Sequence, residues 1–461
     1  MSLVSMKPVQ KNLLLIAILF SGFFIKSLNG YLRWDLNQHI GMVDNYIENN
    51  SFYPTDNSIH STVSIYPMGV RIIALLLTKT GIDENLIPSM LIVAVLVLCS
   101  TILIFFKNPF NDKKIEESSI PIIISYILIC CNYFIFYSVE FKPDTFAYLL
   151  CFSGLILYLN NKKTILISSL LIGSSVLFKQ HSISFIFGLM VYGFYNYKSS
   201  IKYLSLLSSL IYVTIFIMIY SNKTVSYFSF GVVSDDGIRP ISDIFIDLYN
   251  TLSNLFIFAI FLVFTIKEIP KKIVFKSILS ELKNNPYLII CSSVLGVSYL
   301  GSLINGGNEG NTQVGMFFFI PFLISQIQKL SINYNRALLI CVISFFLNIN
   351  TFYQPIRTYL ASTNLKNNIS EFISKNDVKR ILIDSNTYSL VREYRKQGIR
   401  IDDYYTPNMM DNDFNILDLD FDNYDLIVVH KSSLEGIKME SMKFTELVQT
   451  TNFIVYNSLS Y

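Results

Sequence analysis

What most constrains this chain is a succession of apolar runs that a water-soluble fold has no way to bury. They fall at residues 13–28, 86–106, 120–139, 145–159, 165–177, 183–195, 203–220, 252–266, 287–304, 314–327 and 337–352. A membrane-crossing helix takes about 20 mostly apolar residues, and shorter runs serve where bundle neighbours cover their ends, so the pattern predicts about eleven spans. Composition agrees: 52% of the residues are hydrophobic and only 15% are charged, against about a quarter in a soluble domain. The fold class expected is therefore mainly α, a polytopic membrane helical bundle. All six cysteines lie inside apolar runs, as buried small hydrophobes do, with no disulfide framework and no paired metal-ligand spacing. Lys7 and Lys11 precede the first run as in a signal peptide. No small-residue cleavage site follows Phe24, and many spans come later, so an uncleaved first helix is expected.

A twelfth run, 68–77, is short and carries Arg71. Such a segment reads as interfacial or re-entrant, and loop charge gives an independent test. If it does not cross and the N-terminus is cytoplasmic, the inner loops are 107–114, 161–163, 198–202, 267–283 and 329–336, each rich in Lys or Arg. That is the positive-inside arrangement. If 68–77 crossed, every one of these loops would move outside. The expected topology therefore has a cytoplasmic N-terminus, a non-crossing segment at 68–77 and an extracytoplasmic C-terminus in a multi-pass cell-membrane protein.

The outer face then receives the first loop, 31–80, with the only tryptophan, Trp34, two of the four histidines, His39 and His60, and Asp35, Asp44, Glu48 and Asp56. So polar a loop between spans argues for function. Its start has helical spacing: Leu36, Ile40, Val43 and Ile47 share one face, and Asp35, His39, Met42 and Tyr46 the next. Such a helix can lie on the membrane surface and present Asp35 and His39 to a cavity. From about Asn364 the pattern turns soluble. Strand-like runs at 380–383, 426–429 and 453–456 accompany a helical stretch near 388–396, which predicts a small outer α/β domain. The expected division is 1–363, a transmembrane catalytic part, and 364–461, an extracytoplasmic soluble domain.

Six constellations can carry chemistry. Asp35, just past the first span, can act as general base for a hydroxyl nucleophile, or simply cap the helix that starts at Leu36. In Phe141-Lys142-Pro143-Asp144, Pro143 and Asp144 suit a helix start, whereas Lys142 sits where outer cations are scarce. Lys179-Gln180-His181 is a second outer turn of this kind. With Arg71 and Lys142 it can form a cationic pocket for an anionic group, or each side chain can snorkel to head groups. The stretch Asn305-Gly306-Gly307-Asn308-Glu309-Gly310-Asn311 is a flexible turn whose Glu309 and Asn311 suit a polyol. Asp418, Asp420 and Asp422 alternate with apolar residues as in a half-exposed strand, which fits better than a calcium loop. Asp235, Asp236 and Arg239 read as turn chemistry before Pro240, or as a cover for a substrate groove.

In this order and sidedness the motifs resemble the polytopic glycosyltransferases of the GT-C fold, the group of the protein O-mannosyltransferases and the aminoarabinose transferase. The matching features are Trp34-Asp35 after the first span, Tyr66-Pro67-Met68-Gly69 opening an interfacial helix, Lys142-Pro143-Asp144, Lys179-Gln180 and the late Gly/Asn-rich outer loop. Met68 stands where the family has a second proline. Leu36 stands where an acidic residue is frequent, which removes a ligand for a divalent cation and leaves a cation requirement open. The resemblance implies inverting transfer of a sugar from a polyprenyl phosphate to an acceptor hydroxyl of a glycan, lipid or protein, in cell-envelope or surface polysaccharide biosynthesis. It implies Asp35 as base, and Lys142, Lys179, Arg71 and His181 around the departing phosphate. His39, Tyr66, Asp144, Gln180, Glu309 and Asn311 would contact substrate. The partners expected are thus a lipid-linked sugar, an acceptor and the bilayer, with no nucleic acid.

A flippase or transporter of lipid-linked oligosaccharide would place ionisable groups at mid-membrane and show internal pseudo-symmetry. Here the notable charges gather at outer turns and no repeat is evident. A lipid-linked oligosaccharide polymerase is the nearer alternative, since it needs the same outer polar site.

Overall fold

The computed structural model describes residues 6–27, 34–52, 68–79, 116–131, 143–196, 200–223, 240–267, 286–302, 316, 319–384, 387–403, 420–431, 444–449 and 453–457. The expected span at 86–106 lies outside them, as do His60, Tyr66, Lys142, Asp235, Asp236, Arg239, Glu309, Asn311 and Asp418.

Among the described residues the membrane part holds α1 (Pro8–Ser27), α2 (Trp34–Asn49), α3 (Gly69–Thr78), α4 (Ile120–Cys130), α5 (Pro143–Asn160), α6 (Ile165–Ser174), α7 (Ile183–Tyr195), α8 (Ile201–Tyr220), α9 (Ile241–Thr265), α10 (Pro286–Ser302), α11 (Ile320–Ile327), α12 (Tyr334–Leu347) and α13 (Ile349–Lys375). Every expected span apart from 86–106 coincides with one of these helices in whole or part. One departure has a local cause. The helix expected to begin at 252 begins at Ile241, directly after Pro240, with Asp243 in its first turn where a carboxylate favours the helix dipole. Within the span expected at 314–327 the described residues include the helix Ile320–Ile327, with Pro321 in its first turn.

Helices α8 and α9 are long and apolar enough to cross a bilayer. Apolar length alone would also suit a core helix of a soluble protein, but only 28% and 17% of their apolar windows are buried. Tyr203, Leu206, Leu210, Val213 and Ile217 form an exposed stripe on α8, and Phe245, Tyr249, Leu252 and Phe256 lie exposed on α9. Exposed apolar area on this scale is stable only against lipid, so the chain is a membrane protein. Helix α4 is the opposite case, buried along its whole length as the centre of a bundle requires. Inside the bundle, small residues let backbones approach. A Cβ at Gly173 would meet Ile211 at 2.6 Å, and one at Gly188 would meet the Ile290 Cα at 2.7 Å.

The C-terminal part holds β1 (Arg380–Ile383), α14 (Tyr388–Arg395), β2 (Arg400–Asp403), β3 (Leu426–His430), β4 (Thr445–Gln449) and β5 (Phe453–Asn457). The sheet order is β2-β1-β3-β5-β4, with β1, β2 and β3 parallel and β5 antiparallel to both β3 and β4. The three strands and one helix read from the sequence are present; β2 and β4 are additional, their polar runs being too short to show alternation. Gly398, at φ +88°, makes the left-handed turn from α14 into β2. The strand expected through Asp418, Asp420 and Asp422 is replaced at Phe421–Asn423 by a 3₁₀ turn that points Phe421 into the core. One aromatic anchor there outweighs the alternation.

The sheet buries both faces. Leu382, Ile427, Val429 and Ile454 pack with Phe421, Tyr424 and Phe444. On the other face Ile381, Ile383, Leu426, Val428 and Val455 share one core with α13, α14, Ile40 and Val43 of α2, Val70 and Ala74 of α3, and Phe146 of α5. Helix α13 packs on α1, α14 and β4, so it runs without a break from the bundle to the sheet and carries position 364 inside it.

Candidate active site

The turns that carry Asp144 and Lys179 are brought together at one place. Helix α5 starts at Pro143, whose fixed φ and missing N–H suit a first helical position, and Asp144 lies in its first turn. The Lys179 ammonium stands 3.2 Å from Asp144 Oδ2, with both side chains largely buried. Phe146, two residues after Asp144, stacks on Phe178 with ring centroids 5.6 Å apart. The turn that carries Lys179 is fastened from within: Ser182 Oγ donates to the Lys179 carbonyl at 2.8 Å and Ser175 Oγ to Ser182 Oγ at 2.8 Å. Tyr148 OH lies 3.2 Å from Ser184 Oγ, and Tyr212 OH of α8 donates to the Gln180 carbonyl. Lys179, Gln180 and His181 are therefore held by α5, α8 and the hydroxyls of Ser175 and Ser182.

The start of α3 rests on the same turn. A Cβ at Gly69 would lie 2.6 Å from the Leu177 carbonyl oxygen and 3.0 Å from Phe178 Cδ1, so only glycine fits. The Tyr-Pro-Met-Gly motif thus ends against the segment that leads into Lys179. Helix α3 has ten residues, roughly 15 Å, half of a hydrocarbon core. It buries Val70, Arg71 and Ala74 and exposes Ile72 and Leu76.

Arg71 and His39 are both fully buried. Burial first, and then the charge of Arg71, holds His39 well below its ordinary pKa, so its imidazole is neutral at pH 7. The expectation that α2 lies on the membrane surface with His39 facing a cavity therefore needs correction: residues 37–44 are buried on both sides of the helix, and Ile47, expected on the apolar face, is exposed. The reason is packing on both sides: the C-terminal domain covers the side of Asn37 and Asp44, and Arg71 of α3 and Ile219 of α8, the latter against Met42, cover the side of His39. Desolvation and then Lys179 push His181 down to about 4, with Asp144 opposing. Its ring reaches the surface, where water offsets part of the effect. His181 is thus a neutral hydrogen-bonding group at pH 7, and Lys179 and Arg71 supply the positive charge among the described residues.

Asp35 is the second residue of α2, four positions before His39. Lys142 directly precedes Pro143 in sequence. Among the described residues no three His, Cys, Asp or Glu side chains converge as a metal site would require.

The sequence did not reveal what grips α2. Arg392 of α14 pairs with Asp44 through two bonds, Nε to Oδ2 at 2.6 Å and a second nitrogen to Oδ1 at 2.5 Å. Tyr388 OH donates to Asp44 Oδ2 at 2.7 Å, and burial together with Asp44 raises the tyrosine pKa well above its usual range. Arg395 pairs with Glu48. The Ser389 amide, in the first turn of α14, donates to Asn37 Oδ1 at 3.1 Å and so caps a free helix N–H. The only available signal was the spacing: Asn37, Asp44 and Glu48 fall on one stripe of α2, and Ser389, Arg392 and Arg395 on one stripe of α14.

No protein-family model matches the sequence, and no curated protein sequence does. Solved structures do match. The crystal structure of ArnT from Cupriavidus metallidurans bound to undecaprenyl phosphate is similar over 97% of this chain and 98% of its own, with a TM-score of 0.52 and 9% identity. The apo state of the same protein covers 97% of each chain with a TM-score of 0.49 and 10% identity. The first match shows the fold: the chain is built like ArnT nearly from end to end, as the motif resemblance implied.

Proposed function

We propose that this protein is an integral-membrane glycosyltransferase that moves a sugar from a polyprenyl phosphate to an acceptor hydroxyl at the outer face of the cell membrane. The observation that carries the reading is the convergence of Asp144, Lys179 and the Arg71 helix at one corner of a fold shared with a protein crystallised with undecaprenyl phosphate. The loop charges support a cytoplasmic N-terminus and an outer C-terminal domain. The parts 1–363 and 364–461 divide the labour, the first catalytic and the second an outer domain.

In this reading Asp35 takes the proton of the acceptor hydroxyl as its oxygen attacks the anomeric carbon. The bond from that carbon to the phosphate oxygen breaks on the opposite face, the configuration inverts, and the lipid phosphate leaves with the bonding electron pair. Lys142, Lys179 and Arg71 stabilise the negative charge it gathers, and neutral His181 donates a hydrogen bond. Lys179 is held ready by Asp144. His39, Tyr66, Asp144, Gln180, Glu309 and Asn311 orient sugar and acceptor.

The test is turnover of a labelled polyprenyl-phosphate sugar by the purified full-length protein. Asp35→Asn should lower the rate by about 10²- to 10⁴-fold, the usual worth of a general base, with the thermal midpoint kept. Full activity in that variant would falsify the role of Asp35, and movement of the intact lipid-linked sugar without transfer would overturn the enzyme class.

A further inference from the structure

The outer domain does more than sit beside the candidate site. Helix α2 is gripped along one stripe by α14: Asn37 accepts the Ser389 amide at 3.1 Å, Asp44 receives two Arg392 nitrogens and Tyr388 OH, and Glu48 pairs with Arg395. Contacts at three successive heights fix both the position of a helix along its axis and its rotation about it. At 3.6 residues per turn, positions 35 and 39 fall on the side of α2 roughly opposite that stripe. His39, on that opposite side, lies under the charge of Arg71. The clasp is also well sheltered. The Asp44 and Arg392 side chains are each 12% exposed, and the bidentate geometry is the strongest form of such a pair. Behind it lies the sheet-face core that includes Ile40 and Val43. A rigid sheet therefore holds α2 from behind.

We infer that the C-terminal α/β domain is the jig for α2, and that Asp44 and Arg392 are positioning residues that set the height and rotation at which α2 offers Asp35 to the reaction. The inference rests on the reading of Asp35 as the base. It acts through the backbone of α2, and neither Asp44 nor Arg392 touches substrate.

The only tryptophan in the chain, Trp34, adjoins Asp35 and reports on this end of α2 without any substrate. The experiment measures Trp34 emission, its acrylamide quenching and the steady-state rates of the full chain in nanodiscs. Arg392→Ala should change the emission and quenching of Trp34 and lower kcat about ten- to a hundredfold, the scale of an ångström of misplacement, with KM for the lipid-linked sugar little changed. The double variant Asp44→Asn with Arg392→Gln leaves no charge buried alone, so it serves if Arg392→Ala does not fold, and it should show the same kcat loss. The exchanged pair, Asp44→Arg with Arg392→Asp, should recover part of both signals. Folded variants with an unchanged Trp34 signal overturn the jig. A shifted Trp34 signal with undiminished kcat overturns the positioning role, provided Asp35→Asn is inactive in the same assay. If Asp35→Asn is itself fully active, the function reading fails and takes the catalytic half of the inference with it. The Trp34 signal then decides the structural half.

Discussion

The α2–α14 clasp and the outward faces of α8 and α9 solve opposite problems. Along α8 and α9 most of the exposed side chains are Leu, Ile, Val, Phe and Tyr, and on the buried side of α8 Gly173 comes close to Ser208 and Ile211. Nothing there needs a particular partner, because lipid tails and apolar side chains are interchangeable as surroundings. At the clasp, charged and polar groups leave water, and each is stable only beside one specific residue of a distant segment. The first region tolerates change of shape and resists change of polarity. The second resists both.

Four substitutions or conditions test this contrast, in descending order of effect. Asp44→Ala leaves Arg392 buried without its carboxylate and should cost about 3–5 kcal/mol, read as a fall in the thermal midpoint of the detergent-solubilised protein. A charge at the middle of a lipid-facing stripe comes next. Leu210→Arg should oppose insertion of that span by about 2.5–3.5 kcal/mol and reduce the membrane-integrated fraction.

Acid is third. Because the folded state holds His39 neutral well below the ordinary value of 6.5, the unfolded chain binds more protons as pH falls below that value. Stability should therefore be level above pH 7 and decline on acidification below pH 6.5, by at most about 1.4 kcal/mol per pH unit for this one group. His181 should add a smaller decline, complete near pH 4, because its ring is open to solvent. Thermal midpoints measured from pH 8 to pH 4.5 give the slope, and His39→Gln should flatten it. Last, Leu210→Ala changes shape but not polarity on the lipid face and should move stability by less than about 0.5 kcal/mol. A large loss there would show that α8 packs against protein and not lipid.

Much of the candidate site could be read from residue order. Lys142-Pro143-Asp144 and Lys179-Gln180-His181 stood out because cations are scarce at outer turns, and the structure joins Asp144 to Lys179. The Gly69 end of the Tyr-Pro motif meets the second turn, a contact that the sequence suggested only by placing both on one side of the membrane. The burial of His39 was not legible. Amphipathic spacing showed that α2 has an apolar face, but Arg71 and the packing of Met42 against Ile219, Met68 and Leu177, all distant in sequence, decided that the His39 face would be dry as well. The 3₁₀ turn at Phe421–Asn423 escaped for a related reason, since alternation of apolar residues describes a strand only when the local backbone has no stronger anchor.

By itself the sequence determined which segments prefer lipid, which loops carry the positive charge and which polar motifs lie between them. Hydropathy and loop charge are local properties, summed over a window and independent of what packs there. The tertiary structure alone decided that Asp44 meets Arg392 across 348 positions. With 36 basic and 33 acidic side chains in the chain, charge cannot name its own partner. A buried pair is selected by geometry, because desolvation is offset only where two groups arrive together in bonding position, and only the packing of α2 against α14 brings these two there.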